Sequence, residues 1–225
     1  MVSARAVAVW LSASEAPTPP ESMTSFLRPA LWRRLPLLLS LCVWTQPQPG
    51  SAQLPFLGHC PSPPVVEHFN TFNYMGKWYE HSRYFSLPKL ASKCAPAIYT
   101  DQGYGRIGVE DQQIKLLTGQ LNSVVGVARV VDPHYSGRLR VVASNLPSLG
   151  AGPNYNVIET DYSSYAAVWS CRDFKLFNTQ TLQILTRRRR PDPHLISGLR
   201  HRLSYYGLNT DKLKKTNQED CPYGY

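Results

Sequence analysis

From Gly76 onward, short runs rich in Val, Ile, Tyr and Thr follow one another with turn residues between them, and this rhythm constrains the fold more than any other feature. The runs fall at about 76–85, 94–101, 105–114, 121–132, 138–145, 154–161, 165–172 and 180–187. Their separators are turn chemistry: Gln102-Gly103-Tyr104-Gly105, Asp132-Pro133, Ser136-Gly137, Gly150-Ala151-Gly152-Pro153 and Asn178-Thr179. Eight closely spaced short strands predict an antiparallel sandwich or barrel. One helix signal follows them. Asp192 can cap, Pro193 suits the first turn, Leu195, Ile196, Leu199, Leu203 and Tyr206 share a face, and Gly207 can end it. Strands followed by one helix predict a mainly β fold with the helix packed outside the sheet, not parallel β-α-β units. Eight antiparallel strands closed on themselves leave a narrow interior, which side chains fill or which holds one small ligand.

The first 52 residues read differently. Arg28, Arg33 and Arg34 precede the apolar run Leu35–Trp44, and a Pro-rich stretch then ends in Gly50-Ser51-Ala52. A basic region, a short apolar core and small residues at a cleavage site predict a secretory signal cut after Ala52. The apolar run falls well short of the roughly 20 residues a membrane span needs. Residues 1–22 add nothing to this pattern, and Met23 would open a signal of ordinary length.

Cleavage would remove Cys42 of the five cysteines and leave Cys60, Cys94, Cys171 and Cys221. Four cysteines in a secreted chain predict two disulfides, with three connectivities open and no thiol left over as a nucleophile. The mature chain would carry 20 basic and 13 acidic side chains, about +7, a moderately basic balance that favours anionic surfaces without specifying a fold. It contains no N-x-Ser/Thr acceptor for N-glycosylation.

The stretch Gly76-Lys77-Trp78-Tyr79-Glu80 opens the first strand. A tryptophan there seeks burial and a partner for its N–H, and the glycine two residues earlier suggests a close approach to the backbone. A barrel open at one end needs a plug at the other. Trp78 would serve, with Arg187 at the end of the last strand laid over its indole, a contact worth roughly 0.5–2 kcal/mol. At this point the sequence resembles the lipocalin family. Gly76-x-Trp78, Thr160-Asp161-Tyr162 and Arg187 match that family's three signature regions in order and spacing, and the likeness spans about 57–221. Within the family, Cys60-Pro-x-Pro-Pro, Asn73–Glu80, Ser92-Lys93-Cys94, Thr160–Tyr165 and Trp169-Ser170-Cys171 are similar to the branch of apolipoprotein D, Lazarillo and the insect bilin-binding proteins. Arg83-Tyr84-Phe85 leans toward its arthropod members.

The resemblance implies an eight-stranded up-and-down calycin barrel over 53–225, with disulfides Cys60–Cys171 and Cys94–Cys221. It places the mouth at the connections 84–93, 115–121, 146–153 and 173–179, whose apolar members are Phe85, Leu87, Leu90, Leu146, Leu149, Phe174 and Phe177. It implies pocket roles for Tyr99 and Tyr155, with Val141 and Ala143 on one face of their strand and Val157 beside Tyr155. Gln183 stands where apolipoprotein D has a pocket tryptophan, and Ala143 where it has a larger aromatic. Both departures imply a roomier or more polar cavity.

The remaining motifs carry less. Gly103-Tyr104-Gly105-Arg106-Ile107-Gly108 spells a dinucleotide fingerprint, but a strand-like run follows where a helix is required. The run Arg187–Arg190 reads as one plug arginine and three solvated ones, and it lacks the interleaved aromatics of a nucleic-acid site. His194 and His201 share a helix face without a cysteine or acid to complete a metal site. No catalytic constellation stands out, and Asp161 is explained by turn hydrogen bonding. The expectation is therefore a non-enzymatic, extracellular carrier of a small hydrophobic molecule (fatty acid, sterol, bilin or carotenoid) that needs no cofactor or metal and binds no nucleic acid. Its apolar rim suits contact with a lipoprotein or membrane surface. The alternatives are a lipid-modifying enzyme using a cavity thiol and a signalling or adhesion protein using the barrel exterior.

Overall fold

The computed structural model describes residues 54–144 and 152–222. Eight strands form the wall: β2 (Gly76–Arg83), β4 (Pro96–Asp101), β5 (Arg106–Lys115), β6 (Leu121–Val130), β7 (Arg138–Ala143), β8 (Tyr155–Thr160), β9 (Tyr165–Asp173) and β10 (Phe177–Thr186). Each pairs antiparallel with the next, and β10 pairs with β2 as well as β9, so the sheet closes on itself. Alternating burial sorts the side chains into two cores. Trp78, Ala97, Tyr99, Ile107, Ala128, Leu139, Val157, Ala166, Val168 and Leu185 pack inside the barrel. Ile158, Ala167, Trp169, Leu182 and Ile184 face out, under a helix. Period-2 alternation lets one strand feed both.

That helix is α2 (Pro193–Tyr205), following a single turn, α1 (Thr71–Tyr74). Asp192 caps α2 by accepting from the His194 N–H at 2.9 Å, and Pro193 occupies the first turn. Ile196, Leu199 and Leu203 bury one face against the outer core, and the backbone then turns at Gly207 (φ +81°). Arg202 pairs with Glu159 of β8 at 2.7 Å and fastens the helix to the wall.

Three short strands depart from the sequence expectation. β1 (Leu54–Leu57) precedes the first of the eight expected runs, β3 (Ser92–Lys93) flanks β5, and β11 (Lys214–Lys215) follows the expected helix. β1 pairs with the upper half of β10, from Phe177 to Gln180, while β2 takes the lower half. β11 pairs with Ser82 and Arg83 of β2, while β4 pairs with Gly76–Tyr79. The terminal segments thus complete the wall where β2 parts from its neighbours. Disulfides fix both: Cys60 to Cys171 on β9, and Cys221 to Cys94 before β4. The last strand ends at Thr186, so Arg187 lies just past it. The leader expectation over 1–52 and the rim positions Leu146 and Leu149 lie outside the described residues.

Candidate functional site

The floor of the barrel is built by three stretches far apart in sequence. Trp78 is wholly buried, and its Nε1–H donates to the Tyr74 carbonyl at 2.8 Å. The Arg187 guanidinium lies 3.7 Å from the indole centroid. Its N–H groups donate to the carbonyls of Tyr162, Lys77 and Asn73, each at 3.0 Å. Only a planar fork reaches three carbonyls and an aromatic face together. The Tyr162 carbonyl is presented by a tight turn. The Asp161 carboxylate accepts from the backbone N–H groups of Ser163, Ser164 and Tyr165 at 2.7–3.1 Å, and Thr160 Oγ1 donates to the Tyr165 carbonyl at 2.8 Å. Partial burial opposes ionisation of Asp161, but those backbone bonds outweigh it and hold the carboxyl below its ordinary value.

Gly76 opens β2 with φ +94°, a conformation L side chains rarely adopt, and a Cβ there would stand 3.4 Å from Arg187 Nη1. That distance is ordinary contact, so the backbone angle is the reason for glycine. Gly76→Ala is expected to cost about 1–3 kcal/mol in a chemical denaturation measurement. A change below 0.5 kcal/mol would show that the strand start relaxes freely.

Above the floor, three phenols share hydrogen bonds. Tyr155 Oη lies 2.7 Å from Tyr74 Oη and 2.7 Å from Tyr99 Oη. The rings of Tyr74 and Tyr99 meet edge to face at 5.0 Å, and Tyr74 packs on Trp78 at 5.1 Å. Burial pushes all three phenols well above their ordinary value, so they stay protonated. Val157 is fully buried beside Tyr155, and Val141 packs against the same inner core. Ala143 lies two residues on from Val141, opposite Gly126.

Gln183 occurs in different company. Its amide donates to Glu80 Oε2 at 3.3 Å, at the edge of a charge cluster that sequence reasoning missed, in which Glu80 is buried, Arg83 and Lys89 are mostly buried and Asp111 is partly exposed. Glu80 and Asp111 stand opposite the inward residues Leu185 and Ala97. Lys89, from a turn at Leu87–Lys89 in the mouth connection, bridges them at 3.0 Å and 2.8 Å. Arg83 binds Glu80 Oε1 at 2.6 Å, and the Thr216 hydroxyl adds a bond at 2.8 Å. Burial alone would raise the Glu80 carboxyl, yet Lys89, Arg83 and Thr216 together hold it below its ordinary value. Burial likewise opposes the Lys89 charge, and Asp111 and Glu80 override it. One signal was present in the sequence: Glu80 sits two residues after Trp78 and shares its face.

Among the described residues, the opposite end carries exposed apolar side chains. Phe85, Leu87, Leu90, Phe174 and Phe177 are 42–60% exposed, and Phe174 and Phe177 stack at 4.9 Å. Leu116, Leu117 and Leu176, absent from the sequence expectation, join them on connections at the same end. The arginine run divides. Arg187 seals the floor and Arg188 is exposed, but Arg189 is half-buried and lies 5.2 Å from the Tyr79 ring centroid.

Comparison with known proteins places this arrangement. The family model described as a lipocalin-like domain matches residues 69–218. Apolipoprotein D of Mus musculus is 34% identical over 169 residues, covering 74% of this chain and 86% of its own. The Lazarillo protein of Schistocerca americana is 31% identical over 163 residues, covering 71% and 74%. Among solved structures, apocrustacyanin C2 superposes with a TM-score of 0.63 at 24% identity, covering 75% of this chain and 94% of its own, a likeness of fold.

Proposed function

This chain belongs to the lipocalin family, and on that premise we propose that it is a secreted carrier that holds a small hydrophobic molecule inside its barrel. The observation that carries this reading is the asymmetry of the two ends. Trp78 and Arg187 close one, while Phe85, Leu87, Leu90, Phe174 and Phe177 leave apolar surface at the other. Burying a guest's apolar area would supply roughly 25 cal/mol per Å², before the costs of association. Two disulfides suit an oxidising, extracellular setting. The same apolar rim would rest on a lipoprotein or membrane surface while a guest is exchanged.

The guest would lie against Tyr99, Val141, Ala143, Tyr155 and Val157, with Gln183 toward the charge cluster. That cluster contains two cations and two carboxylates already paired with one another. A guest's carboxylate would find no cation of that cluster to spare, and separating a pair made by the buried Glu80 carboxylate is costly. This balance favours a neutral guest, a sterol or carotenoid, over a fatty acid or a bilin.

Native mass spectrometry of the secreted protein, then organic extraction, tests the reading. Reconstitution with cholesterol, a carotenoid, palmitate and biliverdin follows. The expected result is one neutral apolar molecule per chain, with palmitate and biliverdin at least tenfold weaker. Empty protein that binds none of the four at micromolar concentration would overturn the carrier reading. A thiol-dependent lipid-modifying enzyme is disfavoured, because Cys60, Cys94, Cys171 and Cys221 are bonded in pairs.

A further inference from the structure

Outside the barrel, a cleft of about 390 Å³ lies between the strap that follows β10, the first turns of α2 and the edge of β11. Arg189, Arg190, Arg200 and Lys215 line it, together with His81 of β2 and Ser197 of α2. Among the described residues no carboxylate pairs with any of these four cations. Arg189 Nε is buried without a hydrogen-bond partner. Arg200 spends one N–H on the Thr210 carbonyl at 2.9 Å. Glu219 borders an adjoining recess of about 220 Å³ that shares His81, Arg189, Arg190 and Lys215.

Four unpaired cations converging on one concavity repel one another, and an anion removes that repulsion. We propose that this cleft is a binding site for a compact oxyanion, a phosphate or sulfate ester, separate from the barrel interior. Guanidinium groups match the geometry of such oxygens, with two donors for two acceptors. The Ser197 hydroxyl is placed to add a neutral donor. His81 supplies an internal reporter. Its surroundings are Ser82 at 3.3 Å, Lys215 and Arg200, with Arg189, Arg190 and Glu219 across the cleft and its recess. Burial, then Lys215 and Arg200, lowers its pKa from the ordinary imidazole value. A dianion seated among the cations reverses part of that effect, so binding is coupled to proton uptake by His81.

The test uses the mature protein and four probes: inorganic phosphate, inorganic sulfate, glucose 6-phosphate and a trisulfated disaccharide from heparin. Binding is followed by calorimetry, and the His81 imidazole by proton NMR over a pH series. Arg189→Gln/Arg200→Gln is compared with Arg188→Gln/Lys212→Gln, which removes the same charge from exposed positions outside the cleft. The expected result is at least tenfold weaker binding in the first variant, less than twofold change in the second, and an upward shift of the His81 titration only where binding persists. Preference between glucose 6-phosphate and the disaccharide identifies the source of the oxyanion. Equal weakening in both variants, or a His81 titration that no probe moves, would reduce the cleft to a diffuse basic surface and overturn the proposal. Uptake of an apolar guest by the barrel is expected to be unchanged in both variants, so this result stands apart from the carrier test.

Discussion

Trp78→Ala is expected to destabilise the barrel by about 3–5 kcal/mol, the usual cost of truncating a fully buried aromatic. For a domain of this size that lowers the thermal midpoint by on the order of 10 °C. Several losses combine. The indole packs on Tyr74 at 5.1 Å and lies under Arg187 at 3.7 Å, and its N–H satisfies the Tyr74 carbonyl at 2.8 Å. The cation–π share is about 0.5–2 kcal/mol, so most of the effect comes from the cavity and the lost packing. Trp78→Phe separates these contributions, because it retains a ring under the guanidinium and removes only the N–H and part of the volume. It is expected to cost about half as much. Arg187→Lys tests the other member. A lysine cannot serve three carbonyls as the guanidinium fork does, so α1, the start of β2 and the turn at Tyr162 lose their common anchor. If Trp78→Ala melted within 2 °C of the wild type, the floor would not be a structural keystone.

Why the floor was legible while the charge cluster was not follows from the range over which each signal acts. The wall strands are written locally. In β6 and β9, valine and small or aromatic residues alternate between faces, and turn residues bound each run. The α2 boundaries were equally local, with Asp192, Pro193 and Gly207 where capping chemistry needs them. β1 and β11 carry no such signal. The first is a four-residue run interrupted by Pro55, and the second is two lysines. Both exist because a gap in the wall accepts their backbone, and that gap is a property of the closed sheet.

The cluster is hidden for a second reason. β2 and β10 slip register between Ile184 and Leu185: Ser82 stands opposite Ile184 and Glu80 opposite Leu185, leaving His81 extra. Such a bulge resets which side chains face inward. Trp78 and Glu80 point in before it, and Arg83 points in after it, so simple alternation from Trp78 puts Arg83 on the wrong face. Lys89 arrives from a connection, 9 residues from Glu80 and 22 from Asp111, and Thr216 is 136 residues from Glu80. No window of sequence contains that set. His81 already faces outward by alternation from Trp78 and Glu80, toward the basic cleft, and the bulge after it is what brings Arg83 back to the inner face.

Glu80→Gln is expected to cost about 3–5 kcal/mol, because it leaves Arg83 in a buried place without its carboxylate while Lys89 keeps only Asp111. The pH dependence has a definite sign. The Glu80 pKa in the folded chain lies below its ordinary value of 4.5. Its contribution is therefore fully present above about pH 4.5 and is lost as pH falls through the lower folded value. For Lys89, whose pKa is raised above 10.5, the contribution is present below pH 10.5 and is lost only at still higher pH. Denaturation midpoints measured from pH 7 down to pH 3 should show the gap between wild type and Glu80→Gln narrowing once pH drops below about 4.5. Replacing the partner as well, in Glu80→Gln/Arg83→Met, should recover part of the loss, since removing a whole buried pair is often close to neutral. A Glu80→Gln penalty below 1 kcal/mol, constant with pH, would mean that water reaches these charges and that they contribute no more than a surface pair. A neutral guest would then no longer be favoured, because that preference depends on these same charges being dry and mutually committed.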